Sequence, residues 1–294
     1  MRITNLMLHQ QALASLATNV EALSRIQEQV SSSKRLLRPS DNPTDVRSAV
    51  QVRDALAELD QFLRNIATAE RSTSAADTAL GAAGDILQRA RELAIQGANG
   101  TLSASDRATM ASEVEQLARA LVGQARTKVG DQYLFSGFQT ATAPYTEAPA
   151  GSAAVSAYQG DGGAIVARIG PAATMVINLP ADTTFGPALA ALAQLHADLS
   201  AGMPVQAATI NQLDAGQSVL LAGRALTGAR ANRLENTQVS LEDSVLSAQR
   251  LLSNLVDVDM TQAITELSQR QAVYQASLEV NARIIQPSLI DHLR

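Results

Sequence analysis

Both ends of this chain carry apolar seams at seven-residue spacing, and a helix with such a seam is not stable alone in water. Near the N-terminus, Leu6, Leu13 and Val20 recur every seven residues, with Leu16, Leu23 and Val30 at the other seam position. Six of the eight heptad core positions from 6 to 30 are apolar, His9 and Gln27 being the exceptions. Near the C-terminus a second seam runs through Met260, Ile264, Leu267, Tyr274, Leu278 and Ile285, with Gln271 and Asn281 as polar members. Such repeats predict coiled-coil helices rather than amphipathic helices lying on a globule. The economical arrangement pairs the two ends with each other. A two-helix hairpin still leaves apolar surface on its outer side, which predicts association with neighbouring chains. Gln27, Gln271 and Asn281 either fix register or are tolerated at a wet seam.

Between the seams the pattern stays helical. The first seam stops near Pro39-Ser40-Asp41-Asn42-Pro43, where Asn42 is placed to cap a second helix with Pro43 in its first turn. That helix is expected from Pro43 to Gln96, with Leu56, Leu59, Leu63 and Ile66 on one stripe. The stripe then shrinks to Ala69, Thr73, Ala76 and Ala83, which allows close helix approach. Gly97-Ala98-Asn99-Gly100 ends it, and Ser103 with Asp106 reads as a capping box opening a third helix to about Lys128. Farther on, Leu213, Leu220, Thr227, Leu234, Leu241, Ala248 and Leu255 recur every seven residues. A helix over 205–255 would be roughly 75 Å long. Asp257-Val258-Asp259 marks a phase shift before the last seam.

Composition separates the middle from these flanks. The 294 residues hold no cysteine, 17% charged and 3% aromatic residues, and alanine fills the gap at roughly one residue in six. Between Lys128 and Arg224 the only basic residue is Arg168, against six acidic ones. Six of the eight aromatic residues and five of the nine prolines fall between 133 and 187. Short apolar runs there, Ala164-Ile165-Val166 and Met175-Val176-Ile177, are bounded by Gly and Pro and read as strands. The predicted fold is mainly α: an elongated rod of long antiparallel helices, a coiled-coil-like terminal pair plus a helical bundle, with a small β-rich inserted domain. The expected parts are a terminal domain of 1–42 and 256–294, and a helical domain of 43–143 and 187–255 with a hairpin near 131–143. The insert is 144–186.

Chemistry is hard to place on this chain. A net charge of −5 lacks the basic footprint of a nucleic-acid binder. Without cysteine there are no disulfides and no thiolate metal sites. His9, His196 and His292 show no ligand spacing, so neither a metal site nor a Ser/His/Asp set is expected. Asp257 and Asp259 do not share a helix face and mark a discontinuity rather than an acid–base pair. Gly160-Asp161-Gly162-Gly163 lacks the Lys-Ser/Thr of a phosphate loop and reads as a turn. Gly81 and Gly84, inside a helical pattern, are expected at close packing. Asn99-Gly100-Thr101 fits a glycosylation acceptor, but Asn-Gly is the stronger turn signal. The apolar run at Leu6-Met7-Leu8 is too short for a cleaved signal, and no stretch is long enough to span a membrane.

Five stretches carry a family resemblance. They are Lys34-Arg35-Leu36-Leu37-Arg38-Pro39-Ser40-Asp41-Asn42-Pro43; Ala98-Asn99-Gly100-Thr101-Leu102; Gly130-Asp131-Gln132-Tyr133-Leu134-Phe135-Ser136-Gly137; Gly228-Ala229-Arg230-Ala231-Asn232-Arg233-Leu234-Glu235; and Gln286-Pro287-Ser288-Leu289-Ile290-Asp291. Together they resemble the flagellin family, and within it the hook–filament junction branch, in order and spacing. Three positions depart from it: Asn42 stands for an acidic residue, Ser33 for glycine, and Arg294 extends the tail. The resemblance implies a non-enzymatic structural part of the bacterial flagellum with no cofactor. It implies export as an unfolded chain through the flagellar type III apparatus, guided by a cytoplasmic chaperone and without a cleaved signal. Assembly then follows as a ring of like subunits, above another hook-associated protein and below the first flagellins, without nucleic acid or membrane.

The residues expected to carry assembly are Leu6, Leu13, Leu16, Val20, Leu23, Ile264, Leu267, Leu278 and Ile285. Alternatives are the flagellin filament subunit itself, or a secreted adhesin or effector whose insert presents Tyr145, Tyr158 and Phe185 to a glycan. Those rings fill a small core on the competing view, because few other large side chains lie nearby. A hydrolase lacks any recognisable catalytic set. Seams that need partners also predict that the ends are loose in the monomer and order on polymerisation. Amide hydrogen exchange checks this: fast exchange over 1–35 and 260–294 is expected in a verified monomer, and strong protection there overturns it.

Overall fold

The computed structural model describes residues 5–146, 149 and 151–290; the side chains of residues 5, 6, 8, 9 and 283–290, with seam positions Leu6 and Ile285 among them, lie outside that description. In chain order the described elements are α1 (Asn5–Ser32), α2 (Pro43–Gly97), α3 (Ala104–Ala125), β1 (Lys128–Val129) and β2 (Gln132–Tyr133). There follow β3 (Val166–Arg168), β4 (Thr174–Val176), α4 (Ala181–Thr184), α5 (Gly186–Ser200), α6 (Ala207–Val256) and α7 (Met260–Ile290). The long helices begin where local chemistry says they should. Asn42 Oδ1 accepts from Thr44 N and Asp45 N at 3.1 and 3.2 Å, and Pro43 opens α2. The Ser103–Asp106 capping box opens α3. Asp259 Oδ1 accepts from Thr261 N and Gln262 N at 2.9 and 3.1 Å and caps α7, so Asp257 and Asp259 do mark a helix discontinuity.

Helix α5 has no counterpart among the predicted helices. Its signals are present: Pro187 sits in the first turn, and Leu189, Leu192, Leu195 and Leu199 are buried at three- and four-residue spacing. The segment lies in the expected helical domain of 187–255, whose reading rested on the heptad from Leu213 onward and did not resolve a separate helix here.

The chain divides into two compact units, Met1–Glu58 with Ser244–Arg294, and Leu59–Asp243. In the second unit the heptad of α6 is a core line: Leu213, Leu220, Thr227, Leu234 and Leu241 are all buried. The stripe of α2 answers it with Ile66, Ala69, Thr73, Ala76, Leu80, Ala83 and Leu87, also buried. Alanines alternate with leucines along this core, so helices approach closely while each buried leucine contributes roughly 1.5–3 kcal/mol. Helices α3 and α5 pack on each other in the same core.

The insert joins that core instead of building its own. Phe135 and Phe185 meet edge to face at 4.9 Å, and Tyr145 is buried beside them. Tyr158 is half-buried, with its hydroxyl 2.9 Å from Phe135 O and 3.0 Å from Asp161 O. Burial pushes both phenols up to about 12. These rings therefore fill a core, as expected, but one shared with helices rather than a separate sheet core. They do not form an exposed glycan platform. β3 and β4 pair antiparallel in the register Val166↔Val176, Ala167↔Met175 and Arg168↔Thr174. Ile169 and Met175 of this hairpin close a second cluster with Phe62, Ile66 and Ala69 of α2 and Leu234 and Leu241 of α6. The Arg168 guanidinium lies over the Phe62 ring at 5.2 Å.

Side chains stitch the irregular segments between strands. Asp161 Oδ1 accepts from Phe138 N and Gly163 N, making Gly160–Gly163 the turn its sequence indicates. Asn178 accepts from Ile165 N and donates to Gly163 O at 2.8 and 2.7 Å. The expected close packing at Gly81 and Gly84 is not found. A Cβ there would meet only the ends of Arg224 and Gln217, at 3.7 and 3.6 Å. Within α6, Gly216 is tight: its Cβ would meet the Ala188 backbone at 3.0 Å. Gly216→Ala is expected to lower stability by about 1–3 kcal/mol, because backbone cannot yield. Gly81→Ala is expected to gain up to ~1 kcal/mol from helix propensity. Urea midpoints of the two variants check this contrast.

Candidate functional site

Within the first unit the chain reverses twice, and backbone hydrogen bonds tie the two reversals together. Lys34 and Asp257 form an antiparallel bridge, Arg35 N donates to Val256 O at 2.7 Å, and Val258 N donates to Ser33 O at 3.2 Å. The Arg35 guanidinium adds bonds to Leu255 O at 2.7 Å and to Asp45 at 2.8 Å. Ser33 holds φ at 57°, a left-handed conformation that favours glycine, the residue the family resemblance leads one to expect there. This stitch fixes where α1 ends and α7 begins, and so aligns the two terminal helices.

Helix α1 packs against α7. On α1 the covered line is Ala12, Leu16, Asn19, Leu23, Ile26 and Val30; on α7 it is Ala263, Leu267, Tyr274, Ser277 and Asn281. Across the pair, Asn19 Nδ2 donates to Ser277 Oγ at 2.9 Å. A half-buried polar pair between two helices favours the one register in which it can form. Sequence reasoning nominated Gln27 and Gln271 for that role alongside Asn281, but both glutamines are exposed and only Asn281 is half-covered. Asn19 was missed because it lies one residue before Val20, which occupied the predicted seam.

The predicted seam therefore splits into an inner and an outer line. Leu16, Leu23, Leu267 and Tyr274 turn toward the pair. Leu13 is 65% exposed, Val20 44%, Ile264 51% and Leu278 42%. Met7, Met260, Val273 and Val280 add to this exposed apolar set. The apolar stripe on each helix is wider than one partner covers, and the intrachain contact takes one edge of it. Beside the outer edge of α1 lies a groove of about 840 Å³, floored by Leu13, Leu16, Ala17 and Val20 and walled by Leu37 and Arg38 of the loop at 33–42.

Asp41 holds that wall. Its Oδ2 accepts from Arg38 N and Leu37 N at 2.9 and 3.1 Å, while Oδ1 receives Arg25 at 2.8 Å. The hydrogen bond from the Arg38 amide, with that from Leu37 and the nearby Arg25 and Arg38 charges, holds its carboxyl below the usual carboxylate range. Nothing in this arrangement aligns a nucleophile, a base and an acid. Its capacity is to bury apolar surface against another helix.

A protein of paired helical termini with a folded middle is what the comparisons find as well. Residues 3–140 match the bacterial flagellin N-terminal helical region, and residues 208–293 match the bacterial flagellin C-terminal helical region. The chain belongs to the flagellin family, and is a flagellar component. It is similar to flagellar hook-associated protein 3 of Escherichia coli, with 28% identity over 94% of this chain and 95% of that one. The same protein of Salmonella typhimurium is 26% identical over the same shares. Among solved structures, a flagellar hook-associated protein from Vibrio parahaemolyticus superposes with a TM-score of 0.66 at 22% identity. That match covers 74% of this chain and 100% of the other and shows the shared fold.

The Asp41 latch has a definite pH signature. A carboxyl whose folded pKa is lowered stabilises the loop fully above its unfolded value and loses that contribution as pH falls through the folded value. The Leu37 and Arg38 amide resonances are expected to hold steady down to the ordinary carboxylate range and to shift only below it. In Asp41→Asn the same resonances are expected to show no such step.

Proposed function

We propose that this chain is the junction subunit between hook and flagellin filament, and that it polymerises through the outer lines of its paired terminal helices. The observation that carries the reading is the surplus stripe. Leu13, Val20, Ile264 and Leu278 stand exposed on helices whose inner lines are already used, which leaves apolar surface that only another chain can cover. The named relatives, aligned with nearly the whole chain, supply the place in the flagellum. On this reading the paired termini line an inner tube, the helices of 43–143 and 187–255 surround it, and the segment 144–186 faces outward. Like subunits form a ring that meets another hook-associated protein on one side and flagellin on the other. The chain reaches its site as an unfolded export substrate escorted by a cytoplasmic chaperone. The role is mechanical and needs no cofactor.

Inner and outer lines separate folding from assembly. Leu16→Asp with Leu23→Asp is expected to unpair α1 from α7 as well as block assembly. Leu13→Asp with Val20→Asp strikes only exposed positions, so the purified variant is expected to keep its helical content and melting temperature. In a strain lacking the gene, bare hooks with flagellin in the medium are expected by electron microscopy and assay of the supernatant. The wild-type gene restores filaments and the Leu13→Asp, Val20→Asp gene does not. Normal filaments from that variant would remove the outer line as the assembly surface. Bare hooks with no flagellin anywhere in the deletion strain would make this chain the filament subunit instead.

A further inference from the structure

The turn between α2 and α3 combines three features that no structural role requires together. Asn99 Oδ1 accepts two hydrogen bonds from one residue, Thr101 N at 3.1 Å and Thr101 Oγ1 at 2.9 Å. Gly100, between them, has nothing within 4 Å of where a Cβ would be, and its amide takes part in no backbone hydrogen bond among the described residues. The main-chain oxygen of Asn99 accepts from Arg107 Nη2 at 2.9 Å. Arg107 is buried; its Nη1 reaches Gly202 O at 3.2 Å, its Nε has no partner, and no carboxylate pairs with it among the described residues.

We propose that the Asn99–Gly100 link converts itself to an isoaspartyl link, with Thr101 promoting ring closure and Arg107 directing ring opening. The Thr101 bonds hold the Asn99 amide folded back along the main chain past Gly100, whose nitrogen makes no backbone hydrogen bond among the described residues and is unhindered. They also withdraw electron density from the amide carbonyl and stabilise the oxyanion that forms when it is attacked. The Gly100 nitrogen bonds to Asn99 Cγ, giving up its proton to solvent. The Cγ–Nδ2 bond breaks, and ammonia leaves with a proton from solvent, closing a succinimide. Water then adds to one of the two ring carbonyls and that carbon–nitrogen bond breaks, the nitrogen, which carries no hydrogen in the ring, taking a proton from the water. Attack at Cγ gives aspartate; attack at the main-chain carbonyl gives isoaspartate.

Arg107 polarises the main-chain carbonyl and so selects the second route. The oxygen it already holds becomes part of a carboxylate, which gives the buried guanidinium the counter-charge it lacks. The only co-reactant is water. The consequence is a clasp between the α2–α3 and α5–α6 turns that gains an ion pair as the protein ages.

The test incubates full-length protein at neutral pH, folded and in urea, then quantifies amide, aspartyl and isoaspartyl forms of the peptide spanning Asn99 by mass spectrometry. Conversion in the folded wild type is expected to be at least as fast as in urea, with a higher isoaspartyl share. Thr101→Ala is expected to slow folded-state conversion about fivefold, the equivalent of one hydrogen bond, and to change nothing in urea. Arg107→Met is expected to lower the isoaspartyl share to the urea value. Slower conversion when folded, or a Thr101→Ala rate equal to wild type, would overturn the role of Thr101. Equal product shares in folded and unfolded wild type would overturn that of Arg107, even if the Arg107→Met variant does not fold.

Discussion

Everything in the terminal unit follows from a mismatch of widths. An α-helix presents its apolar residues as a stripe, and one partner helix covers about one seam of it. On α1 the candidate seam positions run two abreast, Ala12 with Leu13, Asn19 with Val20 and Ile26 with Gln27, flanking Leu16, Leu23 and Val30; Asn19 and Gln27 are the polar members. Packing against α7 takes the Ala12–Asn19–Ile26 edge and leaves Leu13 and Val20 in water. The partner shows the same division, with Leu267 and Tyr274 covered and Ile264 and Leu278 exposed. A free-standing hairpin would be better served by narrower stripes. These stripes suit the assembly proposed above, in which the outer edge is covered by a neighbouring chain.

How much of this was legible in the sequence depended on whether a helix has one apolar line or two. In α6 there is one, and its seven-residue repeat from Leu213 to Leu241 maps onto fully buried positions without a slip. The shrinking stripe of α2 was equally readable, since alanines at helical spacing have no reason to cluster except close approach. In α1 two lines lie side by side, and periodicity alone cannot say which edge the intrachain partner takes. The stitch at Ser33–Lys34 and Asp257–Val258 decides it, and that contact joins residues far apart in sequence. Asn19 and Ser277 were invisible for the same reason: each is an ordinary polar residue until its register partner is known.

The middle of the chain was legible in part and for different causes. Of the aromatic residues between 133 and 187, Phe135, Tyr145, Tyr158 and Phe185 mark core positions, while Phe138 is exposed. Their core is continuous with the helices because Phe135 and Phe185 sit at the ends of segments that lead directly back to α3 and α5. The strands are few and short, and Asp161, Asn178 and Tyr158 satisfy backbone groups that a larger sheet would have paired. Side-chain stitching of that kind leaves no periodic trace. Helix α5 leaves one, in the spacing of its leucines, and it falls within the expected helical domain of 187–255.

Alanine-rich cores and split stripes answer the same demand at two levels. In the middle unit close approach lets long helices bury a continuous core with few large side chains, and at Gly216 that approach brings the backbone of Ala188 into contact. Such a core is specific, since backbone in contact with backbone tolerates no added atom. At the termini specificity has been moved out of the apolar contacts altogether. Leucine and valine edges accept many registers, so the alignment is set by polar devices: the backbone bridge at the reversals, the Asn19–Ser277 bond, and the Asp41 carboxylate that holds the loop at 33–42. The outer edges carry no such device among the described residues. In the assembly proposed above, their register against a neighbour would therefore come from how that neighbour is itself held.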